Sequence, residues 1–254
     1  MHDFSNQRQR PPFQIAAACA AMTSLFLSVA PASAVTFSTP DGVSGTPRTQ
    51  TSGGASRSSG QCSSPAQTAT AGAMALLPPT TEALTVSERP TFFVYVPPTT
   101  AEEASFSLQD DRGELAYQTK VALPKNGGTI SISLPETAST LQVGKTYKWF
   151  FEIHCMAQFD PDNPIVEGSV SRTSIDPALE GRLASSQTAL DRAQLYGEAG
   201  IWYDTIGTLA QARQAQPQDR SLAQNWYELL ESVGLDEVAD RPLVEGFSVA
   251  VRGK

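Results

Sequence analysis

Lys145-Thr146-Tyr147-Lys148-Trp149-Phe150-Phe151-Glu152-Ile153-His154-Cys155 is the stretch that decides the fold. Side chains of an extended strand alternate between its two faces. Tyr147, Trp149, Phe151, Ile153 and Cys155 therefore share one face, and Lys148, Glu152 and His154 share the other with Phe150. Three aromatic rings and Ile153 on one side predict a strand laid against a core, with Cys155 pointing inward.

The same period of two runs outward in both directions. Downstream, the Pro-bracketed turn Asp160-Pro161-Asp162-Asn163-Pro164 leads into a strand over Ile165 to Arg172. Upstream, Leu84 and Val86 open the pattern, and Phe92 to Val96 is apolar on both faces, as a central strand is. Ala104, Phe106 and Leu108 alternate with serines and Gln109, and Asp110 to Gly113 turns the chain towards Leu115, Tyr117 and Val121. Asn126-Gly127-Gly128 is a second tight turn, before Ile130, Ile132 and Leu134. Seven short strands between turn signals predict an antiparallel immunoglobulin/fibronectin III-like sandwich over residues 83–174. The run Leu141-x-Val143-Gly144-Lys145-x-Tyr147-x-Trp149 resembles the end of such a domain, where a Tyr closes an inter-strand loop.

At Asp176-Pro177 the period changes to that of a helix, with Asp as N-cap and Pro in the first turn. One helix is expected with the stripe Leu179, Leu183, Ser186, Leu190 and Ala193, interrupted by Gly197 and Gly200. A second carries Trp202, Ile206, Leu209 and Ala212 to Pro217, and a third carries Leu222, Trp226, Leu229 and Val233 to Gly234. The spacing from Ala193 through Tyr196, Gly200, Trp202, Leu209 and Ala212 to Pro217 resembles one tetratricopeptide unit, departing from it at Thr205. A single unit cannot bury its own face. Residues 175–245 are thus expected to be a small helical domain packed on the sandwich, with 246–254 as a tail.

The N-terminal region reads as a leader. Arg8 and Arg10 precede an apolar, Ala-rich run from Ile15 to Ala30, and Pro31-Ala32-Ser33-Ala34 is a cleavage site with small residues where a signal peptidase reads them. Cleavage after Ala34 leaves Val35 as the mature N-terminus, in the periplasm or outside the cell, with no transmembrane segment in the mature chain. Residues 35–82, rich in Ser, Thr and Gly, are expected to be a disordered or extended arm. The whole chain has a formal charge of −8, and losing Arg8, Arg10 and Asp3 makes the mature chain one unit more acidic. That excludes the basic footprint of a nucleic-acid binder. Of three cysteines Cys19 leaves with the leader, so Cys62 and Cys155 remain as an even pair, either bonded to each other or as two buried thiols.

No catalytic constellation emerges. His154 is the one histidine of the mature chain, which rules out a multi-histidine metal site, and the Gly-x-Ser-x-Gly elbow that would accompany a Ser-His-Asp triad is absent. In the Asp160 loop, Ile165 and Ser171 stand where a calcium loop needs Gly and Glu. Neither Gly53-Gly54 nor Gly127-Gly128 leads into the helix and Lys of a phosphate loop. No cofactor or metal is implied. Tyr203 and Tyr227 each follow a Trp on their helix, cannot both share a buried stripe, and are the candidate partner contacts.

Leu84-Thr85-Val86, Arg89-Pro90-Thr91-Phe92-Phe93-Val94-Tyr95-Val96-Pro97, Val143-Gly144-Lys145-x-Tyr147-x-Trp149, Gly200-Ile201-Trp202-Tyr203-Asp204 and Ser232-Val233-Gly234-Leu235 together resemble the domain-of-unknown-function 928 family of exported cyanobacterial proteins. The resemblance implies an envelope-facing protein in two parts, with cysteines at the positions of Cys62 and Cys155, and supplies no catalytic residue. The expected function is a noncatalytic protein-binding or adaptor module with an envelope protein as partner, the oligomeric state being left open. The alternatives are a carbohydrate-active hydrolase using paired carboxylates and a structural spacer.

Overall fold

The computed structural model describes residues 34–39, 72–80, 82–155, 163–245 and 248–249. In chain order its elements are β1 (Met74–Ala75), β2 (Ala83–Thr85), β3 (Thr91–Val96), β4 (Glu103–Gln109), β5 (Leu115–Ala122), β6 (Gly128–Ser133), β7 (Thr146–Ile153) and β8 (Ile165–Arg172). Then follow α1 (Pro177–Ser185), α2 (Ala189–Glu198), α3 (Trp202–Ala215), α4 (Arg220–Ser232), α5 (Asp236–Ala239), β9 (Leu243–Glu245) and β10 (Ser248–Val249). The fold is mixed α and β. One sheet has the order β1-β3-β6-β9, the other β10-β5-β4-β7-β8-β2.

The seven strands expected from the period-two runs are β2 to β8. Three short strands join them, and the sheets are not purely antiparallel: β2 runs parallel to β8, and β9 parallel to β6. The reason is the chain's return path. After the helices, residues 243–245 come back to the edge of the four-stranded sheet, and Ser248–Val249 pairs with β5 at the edge of the other. The boundary expected at 245 thus falls where the chain re-enters the sheets, and the expected tail contributes an edge strand.

Aromatic rings join the two sheets. Phe92 on β3 meets Phe106 on β4 at 5.0 Å and Trp149 on β7 at 5.8 Å between ring centroids. All three are fully buried, as is Phe151. Removing one such ring costs about 3–5 kcal/mol, so this contact dominates the union of the sheets. Trp149 has room because its cross-strand partner on β8 is Gly168. Ahead of β7, the Tyr147 hydroxyl accepts the Gln142 N–H at 3.1 Å and closes the loop.

The single helix expected from Asp176 is two. Asp176 does cap the first, accepting from the N–H groups of Ala178 and Leu179. The helix then stops because Ser186 turns its hydroxyl back onto the Leu183 carbonyl, and Thr188 begins α2 in a reciprocal capping box with Asp191. Gly197 does not interrupt α2, which ends instead at Gly200 with φ of 71°. α3 and α4 lie where expected, and Gly234 with φ of 67° follows α4.

Of the arm expected over 35–82, the described residues pack against the fold. Val35 is fully buried and Phe37 packs edge-on against Trp202 at 5.1 Å. At the other end Leu76 is buried and its carbonyl accepts the Trp202 indole N–H at 2.9 Å. Val35, Phe37, Met74, Leu76 and Leu77 all bring apolar side chains to the core, which anchors these two described segments.

Candidate functional site

α3 lies across the four-stranded sheet, and between them runs an open groove of about 560 Å³. Thr91 and Phe93 from β3, Ser131 and Ser133 from β6, and Thr208, Gln211 and Gln214 from α3 form its walls. These faces are polar because β3 and β6 present alternate residues here, and α3 presents the side opposite its apolar stripe. Two of the wall hydroxyls hold each other. Thr91 Oγ1 and Ser133 Oγ are 2.9 Å apart across the strands.

Asp204 and Arg89 bring the charge. The Asp204 Oδ2 accepts from the Thr85 hydroxyl at 2.7 Å and the Val86 N–H at 3.0 Å, tying α3 to the end of β2. Burial raises the Asp204 pKa, and those two hydrogen bonds oppose the rise. Arg89 Nη2 donates to the carbonyls of Glu136 at 3.2 Å and Ala138 at 3.4 Å, while its buried Nε has no partner among the described residues. The groove therefore offers hydroxyls, amides, one carboxylate and one guanidinium to a polar ligand.

A second polar cluster lies on the six-stranded sheet. Ser105 Oγ is 3.0 Å from His154 Nε2, and His154 Nδ1 is 3.2 Å from Glu103 Oε1, which also accepts from Lys120 Nζ at 2.6 Å. The Lys120 hydrogen bond, with that from His154, keeps the Glu103 carboxyl below its usual range despite some desolvation. Glu103 Oε1 is placed to accept the proton of Nδ1, the tautomer in which Nε2 faces the Ser105 hydroxyl as an acceptor. This has the connectivity of a nucleophile, base and orienting carboxylate. Ser105, however, is only 4% exposed, and the His154 side chain only 5%, so a substrate carbonyl has no approach to the hydroxyl. Beside it Asn163 donates to Glu152 Oε1 at 2.8 Å, both residues being buried. Among the described residues no group of three His, Cys, Asp or Glu is arranged to hold a metal ion.

The residues singled out from the sequence fall in different places. Tyr203 is not an exposed contact: it is 3% exposed, accepts from Trp149 Nε1 at 2.8 Å and donates to the Ser169 carbonyl at 2.8 Å. The expectation failed because α3 is covered on two sides, Trp202 by Phe37 and Leu76, Tyr203 by the sheets. Tyr227 on α4 is half-buried against the core. Cys155, just past β7, is half-buried, and Cys62 lies outside the described residues. Ala34 is exposed, whereas Val35 is buried with its N–H on Asn225 Oδ1 at 2.9 Å.

Asp204, Arg89 and the Ser105–His154–Glu103 chain carry no local sequence signal of their role. His154 alternates with the core face, as a solvated residue does, and only the register Ser105↔Glu152 brings its partners together. In comparisons with known proteins, the family model described as Domain of Unknown Function (DUF928) matches residues 52–243. No curated protein matches the chain.

Proposed function

The chain belongs to the DUF928 family, and from that premise we propose that it is a noncatalytic binding module of the cell envelope, holding a polar segment of another envelope protein in the groove between α3 and the four-stranded sheet. The observation that carries this reading is the makeup of the groove: open, with the hydroxyls of Thr91, Ser131, Ser133 and Thr208 and the amides of Gln211 and Gln214 along its walls, and Asp204 the one carboxylate among its described lining residues. Of these, Thr91 and Ser133 already hold each other, which lowers the ordering cost of binding there. A hydrolase working through paired carboxylates needs a second carboxyl across the substrate. Among the described residues Asp204 is the only carboxylate lining the groove, and one of its oxygens is committed to Thr85 and Val86.

The remaining expectations belong to the same proposal. The leader ends at Ala34 and the mature chain, beginning at Val35, works in the periplasm or outside the cell. Cys62 pairs with Cys155, a reading supported by Cys155 packing half-buried against the core just past β7. The sheets are an immunoglobulin/fibronectin III-like sandwich elaborated at its edges, which the Tyr147 loop closure supports. The α2–α3 pair is tetratricopeptide-like.

Site-specific photo-crosslinkers at Gln211 and Gln214, installed in the protein in its own envelope, test the groove. One protein partner is expected at both positions, and a Thr208→Trp variant that fills the groove should lose it while melting at the wild-type temperature. Crosslinks that survive Thr208→Trp, or glycan alone at both positions, overturn the reading.

A further inference from the structure

Residues 34–39 form a strap laid over the helices, and three backbone contacts fix it. Val35 N–H donates to Asn225 Oδ1 at 2.9 Å, Ser38 N–H to the Gly197 carbonyl at 3.0 Å, and Phe37 N–H to Ser232 Oγ at 3.4 Å. Val35 is fully buried and Phe37 stacks edge-on with Trp202. The strap passes so close to α2 that a Cβ on Gly197 would sit 2.3 Å from the Thr36 carbonyl oxygen. It thus covers α2, α3 and α4 together, the face that a lone tetratricopeptide-like unit leaves uncovered.

Asn225 is an unusual residue for the apolar face of α4, and it is 4% exposed. Its Nδ2 donates to the Ser221 carbonyl at 2.9 Å, which fixes the amide and leaves Oδ1 aimed at Val35 N. A buried acceptor aimed at one backbone nitrogen is costly unless that nitrogen arrives. The nitrogen it meets belongs to the residue that the Ala32-Ser33-Ala34 motif makes the first of the mature chain.

We propose that Asn225 is the floor of a binding site for the α-amino group released at Val35 by leader removal. This rests on the export reading above. Cleavage hydrolyses the Ala34–Val35 amide: water adds its hydroxyl to the Ala34 carbonyl carbon and a proton to the Val35 nitrogen, and the new carboxyl releases its proton as the amine takes one up, leaving a carboxylate and an ammonium. The nitrogen that donated one hydrogen bond as an amide becomes an ammonium with three N–H groups, and its bond to Asn225 Oδ1 becomes charge-assisted. Val35 and Phe37 keep it in place through the apolar contacts they already make. Leader removal thus adds charge to a bond that the seated strap already makes with α4.

The test uses the chain beginning at Val35, made by removing an N-terminal tag, beside the chain that retains its leader. Acylation of the Val35 α-amine by an activated ester is followed by mass spectrometry in the folded protein and in a free Val35–Ser38 peptide. Burial and one charge-assisted bond should slow the reaction about tenfold or more. Gly197→Ala, which drives the Thr36 carbonyl away, should restore the peptide rate. Asn225→Leu should also restore it, and Asn225→Asp, which still accepts from an ammonium, should keep the amine protected. Should Asn225→Leu fail to fold, Gly197→Ala carries the test. A peptide-like rate in the folded wild type, or equal protection in the Asp and Leu variants, overturns the proposal. N-terminal sequencing of the native protein tests the export reading separately, because an amine protected at an artificially produced Val35 does not depend on where the cell cuts.

Discussion

Trp149 and Tyr203 are joined by one hydrogen bond, indole N–H to phenol oxygen at 2.8 Å, across the boundary between the six-stranded sheet and α3. The phenol passes the bond on to the Ser169 carbonyl at 2.8 Å, so one side chain satisfies two buried groups from β7 and β8. Burial pushes the Tyr203 phenol far up, and it stays protonated across the working pH range. Tyr203→Phe keeps the ring, takes the acceptor from the buried Trp149 indole N–H and removes one donor from the Ser169 carbonyl. It is expected to lower stability by about 1–3 kcal/mol, read as a lower urea midpoint with an unchanged slope. A neutral effect would mean that the junction does not depend on this bond.

Gly168 and Gly207 should answer the same substitution with opposite signs. A Cβ on Gly168 would stand 2.5 Å from Trp149 Cζ2 and 2.6 Å from Leu77 Cδ1, so Gly168→Ala forces the ring out of its place. A loss of about 1–3 kcal/mol or more is expected. Gly207 lies within α3 and a Cβ there meets nothing within 4 Å, so Gly207→Ala should stabilise by up to about 1 kcal/mol. Thermal melts of the two variants side by side check both.

A fluorophosphonate probe should leave Ser105 unlabelled in the folded protein. The Ser105–His154–Glu103 connectivity has the distances of a reactive serine, yet the hydroxyl is 4% exposed and closed to an incoming electrophile. Labelling at Ser105, abolished by His154→Gln, would establish a hydrolytic site and remove the noncatalytic reading.

The strands that sequence reveals are those long enough to show a period. β3 to β8 each have six or more residues and end in Gly, Pro or Asp turns. β1, β9 and β10 have two or three residues, too few for any alternation, whereas the equally short β2 is legible because Leu84 and Val86 carry its period past the paired residues. The break between α1 and α2 was written in Thr188 and Asp191, whose capping box is a local signal that the continuous apolar stripe concealed. Tyr203 was misplaced for a different reason: a stripe identifies one buried face, and α3 is covered on two. The groove was invisible because its walls come from β3, β6 and α3, and Asp204 meets Thr85 across 119 positions of sequence.

Glu103 and Asp204 should give stability opposite pH dependences. Glu103 has a folded pKa below its ordinary 4.5, chiefly through Lys120, so its contribution is full above that value and is lost as pH falls through the folded pKa. With the carboxylate side chain 38% exposed, solvent screening limits the pair to below about 1 kcal/mol. Asp204 is raised above 3.8 by burial, so its ionised form disfavours the fold at neutral pH, and stability is regained as pH falls through the raised folded value towards 3.8. Lys120→Met should therefore flatten the acid loss of stability, and Asp204→Asn should make that loss steeper while leaving the fold as stable or slightly more stable at pH 7. Urea midpoints measured from pH 3.5 to pH 7 decide it. The same slope change in both variants would mean that burial does not dominate at Asp204, and that its hydrogen bonds to Thr85 and Val86 hold the carboxylate charged in the fold.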